Sequence, residues 1–215
     1  WDQIIQVGAI LVDSDLNIIG QPYECRSCLR KGIVPESAAL LVNGVSSNGL
    51  KLSNSNLSHY NFICSLLKKF TDWTEKFQPI TFVGYNTITF DEEFMRHTFF
   101  QLLHPPYFTQ MNGSQRADII GLTRTVNTFY PGSLKTTVNE KGNPIYKLDQ
   151  LSPQNDIEHF AHDALGDVKA TIEVAKIIKE KAPELWRMGM STTSKSRVNE
   201  LVRELDIFLV SEFYF

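Results

Sequence analysis

The chain has 215 residues, of which 42% are hydrophobic, 11% aromatic and 21% charged, which suits one globular domain with a substantial core. No apolar run approaches the length of a membrane span, and the net charge of −3 gives no global footprint for nucleic acid, so any nucleic-acid groove must be locally basic or rely on metal ions. Three cysteines do not make a disulfide framework, and Cys25 and Cys28 in "ECRSCLR" have no second pair and lie in an apparent strand, which argues against a zinc site. A reducing, cytoplasmic setting is expected.

In chain order, residues 3–12 read as a strand, "DSDLN" (13–17) as a turn, and "IIGQPYECRSCL" (18–29) as one or two further strands, an antiparallel opening. "PESAALLVNGV" (35–45) reads as a short helix with a proline start and a glycine stop. Residues 57–77 carry the helical period, and "ITFVGY" (80–85) is a short apolar run expected to be a buried strand. Residues 91–103 form a helix with Asp91, Glu92 and Glu93 in its first turn, and 116–130 a further helix. Residues 131–144 read as a loop, followed by a long helix over 163–181 and a shorter one over 196–205. Strands followed by alternating helices predict an α/β domain with helices on both faces of a mixed sheet.

Two places carry chemistry. Asp91 lies just beyond a strand, where a loop enters a helix, and ligands collect at such strand ends. Its first alternative is plain: three acids complement a helix N-terminus. The second place is "HFAHDALGDVKATIEVAKIIKEK" (159–181), where His162 and Asp167 stand five residues apart. Five helical residues turn through about 500°, so the pair converges only if His162 precedes the helix, as an N-cap at Asp163 implies. The apolar stripe Leu165, Val168, Ile172, Ala175 and Ile178 uses neither residue. An acidic position plus a histidine outside a helix hints at a site for a hard divalent cation.

"VGYNTITFDEEFMRHTFF" closely resembles the second motif of the DEDD-type exonucleases, in the version carried by bacterial exonuclease I. "AHDALGDVKATIEVAKII" resembles the last motif of the histidine subclass, and "LLVNGVSS", "RADIIGLTRT" and "YKLDQLSPQNDIEHFAHDA" continue the likeness in order. The family often has threonine where Asn43 stands. The resemblance implies a ribonuclease H-like fold over residues 1–207, with "FLVSEFYF" (208–215) similar to the first strand of a following β-domain. It implies two Mg²⁺ or Mn²⁺ ions, with Asp167 holding the first and Asp91 supporting the second, and His162 as general base. Arg116 and Lys147 match positions where the family carries basic residues near the cleft, while Tyr85 and Phe90 read as core rather than as base-stacking groups. Lys195, Arg197 and Arg203 could follow a strand's backbone.

The implied activity is 3′→5′ hydrolysis of single-stranded DNA to nucleoside monophosphates, with single-strand DNA-binding protein as a candidate partner. An RNA- or oligonucleotide-directed relative, a proofreading domain and a non-catalytic nucleic-acid-binding module remain open. The family's first motif, an Asp-x-Glu on its first strand, has no counterpart before residue 3, and Asp13-Ser14-Asp15 lies in the turn after the strand. The start at Trp1 and the strand-prone end predict a piece of a longer polypeptide, nearly inactive alone.

Overall fold

The structure is a computed structural model that describes residues 3–30, 32–42, 57–159 and 163–204. It begins with strand β1 (Gln6–Ala9), paired antiparallel with β2 (Tyr23–Arg26) so that Val7 faces Cys25. Between them Asp13 accepts the amides of Asp15 and Asn17 at 2.8 and 2.9 Å, a side-chain-built turn that lets Leu16 take φ 64°. Helix α1 (Ser37–Val42) and helix α2 (His59–Lys76) follow, the latter capped by Ser58, whose hydroxyl accepts from the Asn61 amide at 3.2 Å. Strand β3 (Thr81–Gly84) leads into α3 (Asp91–Gln101), and β4 (Gln115–Asp118) into α4 (Ile119–Phe129). These two strands pair in parallel, Val83 beside Ala117. A small hairpin, β5 (Thr137–Val138) and β6 (Pro144–Ile145), precedes α5 (Leu148–Gln154), α6 (Ala164–Lys181), α7 (Pro183–Ser191) and α8 (Lys195–Glu204).

The α/β class is as expected from the sequence, with four differences in detail. Residues 115–118 are a strand rather than the first turn of a helix, because they complete the β3 ladder before Asp118 caps α4. The 131–144 loop contains β5 and the start of β6. Helices α5 and α7 went unforeseen, being only seven and nine residues long. Strand β3 is not a buried strand, since Val83 is 45% exposed. Asn43 to Val45 of the first expected helix, and the 208–215 segment, lie outside the described residues.

The buried side chains form two clusters. One gathers Ile119, Val126, Leu151, Val174 and Ile178 among α4, α5 and α6. The other gathers Cys25, Phe62, Leu66, Phe70 and Phe99 among β2, α2 and α3. A domain of this size ordinarily has one contiguous core. Between the two lies a cleft of about 1830 Å³, walled by β1 on one side and β3 on the other, with Val168 and Ile172 of α6 also lining it. This explains a rotation of the α6 stripe. The buried positions are Gly166, Ala170, Thr171, Val174, Ala175 and Ile178, while Val168 and Ile172 are only half-buried along the cleft.

The start of α6 is pressed directly on β1. A Cβ on Gly8 would lie 2.7 Å from the carbonyl carbon of Ala164 and 2.8 Å from the Leu165 nitrogen, both backbone atoms that cannot rotate away. Asp163 adds polar ties: its carboxylate accepts from the Gly166 amide at 3.1 Å and from Gln6 Nε2 at 3.1 Å, and Arg26 stands 3.5 Å off. Gly8→Ala is therefore expected to cost about 1–3 kcal/mol, the usual range for overpacking. Urea unfolding of the two proteins measures it, and an unchanged midpoint would mean that the helix start yields easily.

Candidate active site

The loop from β3 to α3 is built to hold Asp91 still. Asp118, at the end of β4, accepts the Asn86 amide at 2.7 Å with Oδ1 and the Ile88 amide at 3.1 Å with Oδ2, while Oδ1 also caps α4 through Ile120 at 3.2 Å. One carboxylate thus staples the loop to the neighbouring strand. Thr87 folds its side chain over Gly84, where a Cβ would sit 1.9 Å from the threonine methyl, so any larger residue there would force Thr87 to shift. The Thr87 carbonyl then accepts the Glu92 amide at 2.9 Å.

The three acids at the start of α3 divide by partner. Glu92 is drawn away, accepting from Thr109 Oγ1 at 2.7 Å and lying 3.6 Å from Arg116 Nη1. Glu93 pairs with Arg96 and lies 3.7 Å from His97. Asp91 has no ion-pair partner among the described residues and lines the cleft. The residue as a whole is exposed, yet its carboxyl is pushed up to about 6. Lost hydration is the chief cause, and the charges of Asp118, Asp167 and Glu92 add to it. A helix-dipole role alone would lower that value, so complementing the helix start does not account for Asp91.

Asp167 sits in the first turn of α6, just after the Asp163 cap, and lines the same cleft. Its Oδ1 lies 2.5 Å from His159 Nε2, a ring whose side chain is 3% exposed against 45% for Asp167. Neither Asp118 nor His159 was picked out from the sequence. Asp118 could have been, as an aspartate directly before a helical run. His159 has no local signal, since its role depends on the fold-back of the chain onto α6.

The expected residues fare unequally. Asp91 and Asp167 come together, and Arg116 and Lys147 line the same cleft. Arg116 already faces Glu92, whereas Lys147 is exposed at the start of α5. His162 lies outside the described residues. Tyr85 packs against the core and donates to the Tyr146 carbonyl at 2.6 Å, as expected. Phe90 does not: it is 57% exposed at the cleft, touching Phe94 with ring centroids 4.9 Å apart, because the loop turns its side chain out of the sheet. Lys195, Arg197 and Arg203 fall on α8, with Arg197 paired to Glu200 at 3.1 Å. Cys25 is a core side chain with a free thiol.

A carboxylate pushed up by burial and by like charges is what a cation site looks like before its cation, so the donor set fits a divalent ion. It does so only partly, because no group of three or more His, Cys, Asp or Glu residues among the described residues could hold a metal ion together. No helix among the described residues is long and apolar enough to cross a membrane.

Comparison with known proteins gives a consistent family. The exonuclease family model RNase_T matches residues 1–175. Exodeoxyribonuclease I of Haemophilus influenzae is 34% identical over 204 residues, covering 94% of this chain and 41% of that protein. The structure of Escherichia coli exonuclease I with a dA16 oligonucleotide superposes with a TM-score of 0.84 at 27% identity, covering 93% of this chain and 42% of that one. The ExoI/SSB-Ct complex gives a TM-score of 0.81 at 27% identity, covering 92% and 41%. The chain therefore spans about two fifths of the length of the relatives it matches.

The raised Asp91 carboxyl has a consequence for stability. Its folded value of about 6 lies above the ordinary 3.8, so the metal-free fold is penalised as pH rises from about 4 through about 6, and fully above that. Asp91→Asn should raise the melting temperature in chelator at pH 7–8, with the gain vanishing below about pH 4. Paired melts across that range check it, and a gain that does not depend on pH would mean that charge is not its cause.

Proposed function

From a chain that belongs to the RNase_T exonuclease family, we propose a divalent-metal-dependent 3′→5′ exonuclease that hydrolyses single-stranded DNA to nucleoside monophosphates. The observation that carries the proposal is the meeting of Asp91 and Asp167 in one cleft, from two separate helix starts, with Asp91 destabilised as an anion. That destabilisation is relieved by a cation. Asp167 would hold one ion and Asp91 support a second, each with Mg²⁺ or Mn²⁺ as the fitting metal. Such ions, when bound, supply stabilisation to the attacking and leaving oxygens of an in-line displacement at phosphorus.

The remaining roles belong to the chain's own residues. His162, ahead of α6, is assigned as the base that takes the proton from the attacking water, in line with the family motif. Lys147 and Arg116 are the cleft's cations for the DNA backbone, with Lys147 the better placed because Glu92 already offsets part of the Arg116 charge. Phe90 offers an exposed ring beside Asp91 on which a base can stack. The further carboxylates are assigned to a strand seated in the cleft, hydrogen-bonded between β1 and β3 and covering Val168 and Ile172. A strand there would join the two clusters into one core and bring an acidic pair beside Asp91. Single-strand DNA-binding protein is a fitting partner, since a similar protein is known in an ExoI/SSB-Ct complex. Of the other readings, the lack of a third ligand among the described residues favours one, a nucleic-acid-binding module without catalysis.

The test uses protein from the complete coding sequence and a 5′-labelled single strand. Degradation should require Mg²⁺ or Mn²⁺ and stop in excess chelator. Asp91→Ala and Asp167→Ala should abolish turnover with unchanged circular dichroism, and His162→Ala should lower kcat by about 10²–10⁴-fold. Tight strand binding without any degradation would replace the enzyme by the binding module, and activity in chelator would remove the metal.

A further inference from the structure

Asp167 is 45% exposed at its side chain and lines the cleft with Asp91, yet one of its oxygens is engaged by a ring that is almost wholly buried. His159 Nε2 lies 2.5 Å from Asp167 Oδ1. An ionised carboxylate only accepts, so the imidazole donates. The segment that carries His159 is itself anchored: Ile157 is buried in the α4–α5–α6 cluster, and its amide donates to the Ser152 carbonyl at 3.0 Å. Asp156 takes φ 59°, which turns the chain from the end of α5 back toward α6. The donor is therefore held by the core, while the acceptor faces the cleft. Asp167 Oδ2 has no hydrogen bond among the described residues.

We propose that His159 is a positioning residue for Asp167: it fixes the carboxylate's rotamer from beneath, leaves Oδ2 for a divalent cation, and so sets the cation affinity of the cleft. This rests on the metal-dependent reading above. An exposed aspartate samples several rotamers, and a cation that must select one pays for the others in affinity. A buried donor removes that cost before the ion arrives. The outer hydrogen bonds of metal ligands act in this way, and their loss typically weakens metal affinity 10–100-fold. The same burial argues against His159 as the proton acceptor in the chemical step. Its side chain is 3% exposed and its Nε2 is already committed, so a water above the cleft has little of the ring to meet.

The experiment compares the complete protein with its His159→Ala, His159→Phe and His159→Gln variants, using Mn²⁺ alone as the probe. Free Mn²⁺ is followed by electron paramagnetic resonance, and kcat and KM for a single strand are measured across Mn²⁺ concentration. His159→Ala should weaken Mn²⁺ binding 10–100-fold, with kcat returning to within a few fold of the parent at saturating metal and KM for DNA unchanged. His159→Gln, which keeps an N–H donor but no titrating base, should recover most of the lost affinity. His159→Phe fills the buried volume without a donor and carries the same comparison should the alanine variant not fold. Unchanged or tighter Mn²⁺ binding in the donor-free variants overturns the inference. So does a kcat deficit that neither saturating metal nor glutamine restores, since that would make His159 the base. A parent protein that binds no Mn²⁺ and shows no metal-dependent degradation overturns the functional reading itself, an outcome visible before any variant is made.

Discussion

Carboxylates repel one another in a cleft, so something other than their own preference must hold the backbone that carries them. In this chain that task falls to two backbone junctions. At one, Gly8 lets β1 touch the first residues of α6, and Asp163 ties the same helix start to Gln6 and stands near Arg26. At the other, Gly84 and Asp118 fasten the loop before α3 to the end of the β3–β4 pair. Both junctions use a glycine for close approach and an aspartate as a polar staple. Asp167 and Asp91 each follow one of them by a few residues. Their proximity is imposed from outside the site, and it adds to the upward push on Asp91 that lost hydration chiefly causes.

The same junctions explain why the cleft can exist with so little packed in it. The buried clusters lie on opposite sides and are each closed by helices: α4, α5 and α6 on one side, α2 and α3 on the other. Neither cluster needs the cleft filled in order to bury its own largest side chains, since Phe62, Phe99, Leu66 and Ile178 are all fully buried. What the cleft leaves half-covered is a band of strand edge and helix face, with Val83 on β3 and Val168 and Ile172 on α6. Exposed strand edges beside apolar side chains are the surfaces on which a further strand is most readily added. Fold and site therefore depend on the same space. On the proposed reading, a strand that filled the cleft would be the place for a further metal-binding carboxylate.

How much of this was legible in the sequence depends on how local each signal is. The helix carrying Asp91 and the one carrying Asp167 could be read because their caps, first-turn acids and apolar periods are contiguous. The two aspartates could be singled out because each sits at such a start. Strand β4 could not, because "QRAD" has no strand pattern of its own and becomes a strand only beside Phe82 and Val83. The α6 stripe was misplaced by a fraction of a turn for a related reason. Periodicity names an apolar side but not which part of it meets a neighbour, and Val168 and Ile172 line the cleft half-buried instead of lying fully in the core. Phe90 reversed its expected placement, because an aromatic residue before a helix reads as core unless the loop geometry is known.

The electrostatics also take a definite shape. A chain with net charge −3 cannot attract a polyanion by its overall field, and the cleft that would receive one contains Asp91, Asp167 and Glu92. Arg116 is partly neutralised by Glu92, and Arg197 on α8 faces Glu200. The protein's own cations do not outweigh its anions at the place where a phosphate would arrive under the proposed function. On the proposed reading, one divalent ion would cancel the charge of the two carboxylates, and a second would leave a locally positive centre. Under the proposed function, a strand would then bind well only where metal is present, which would tie substrate binding to readiness for hydrolysis.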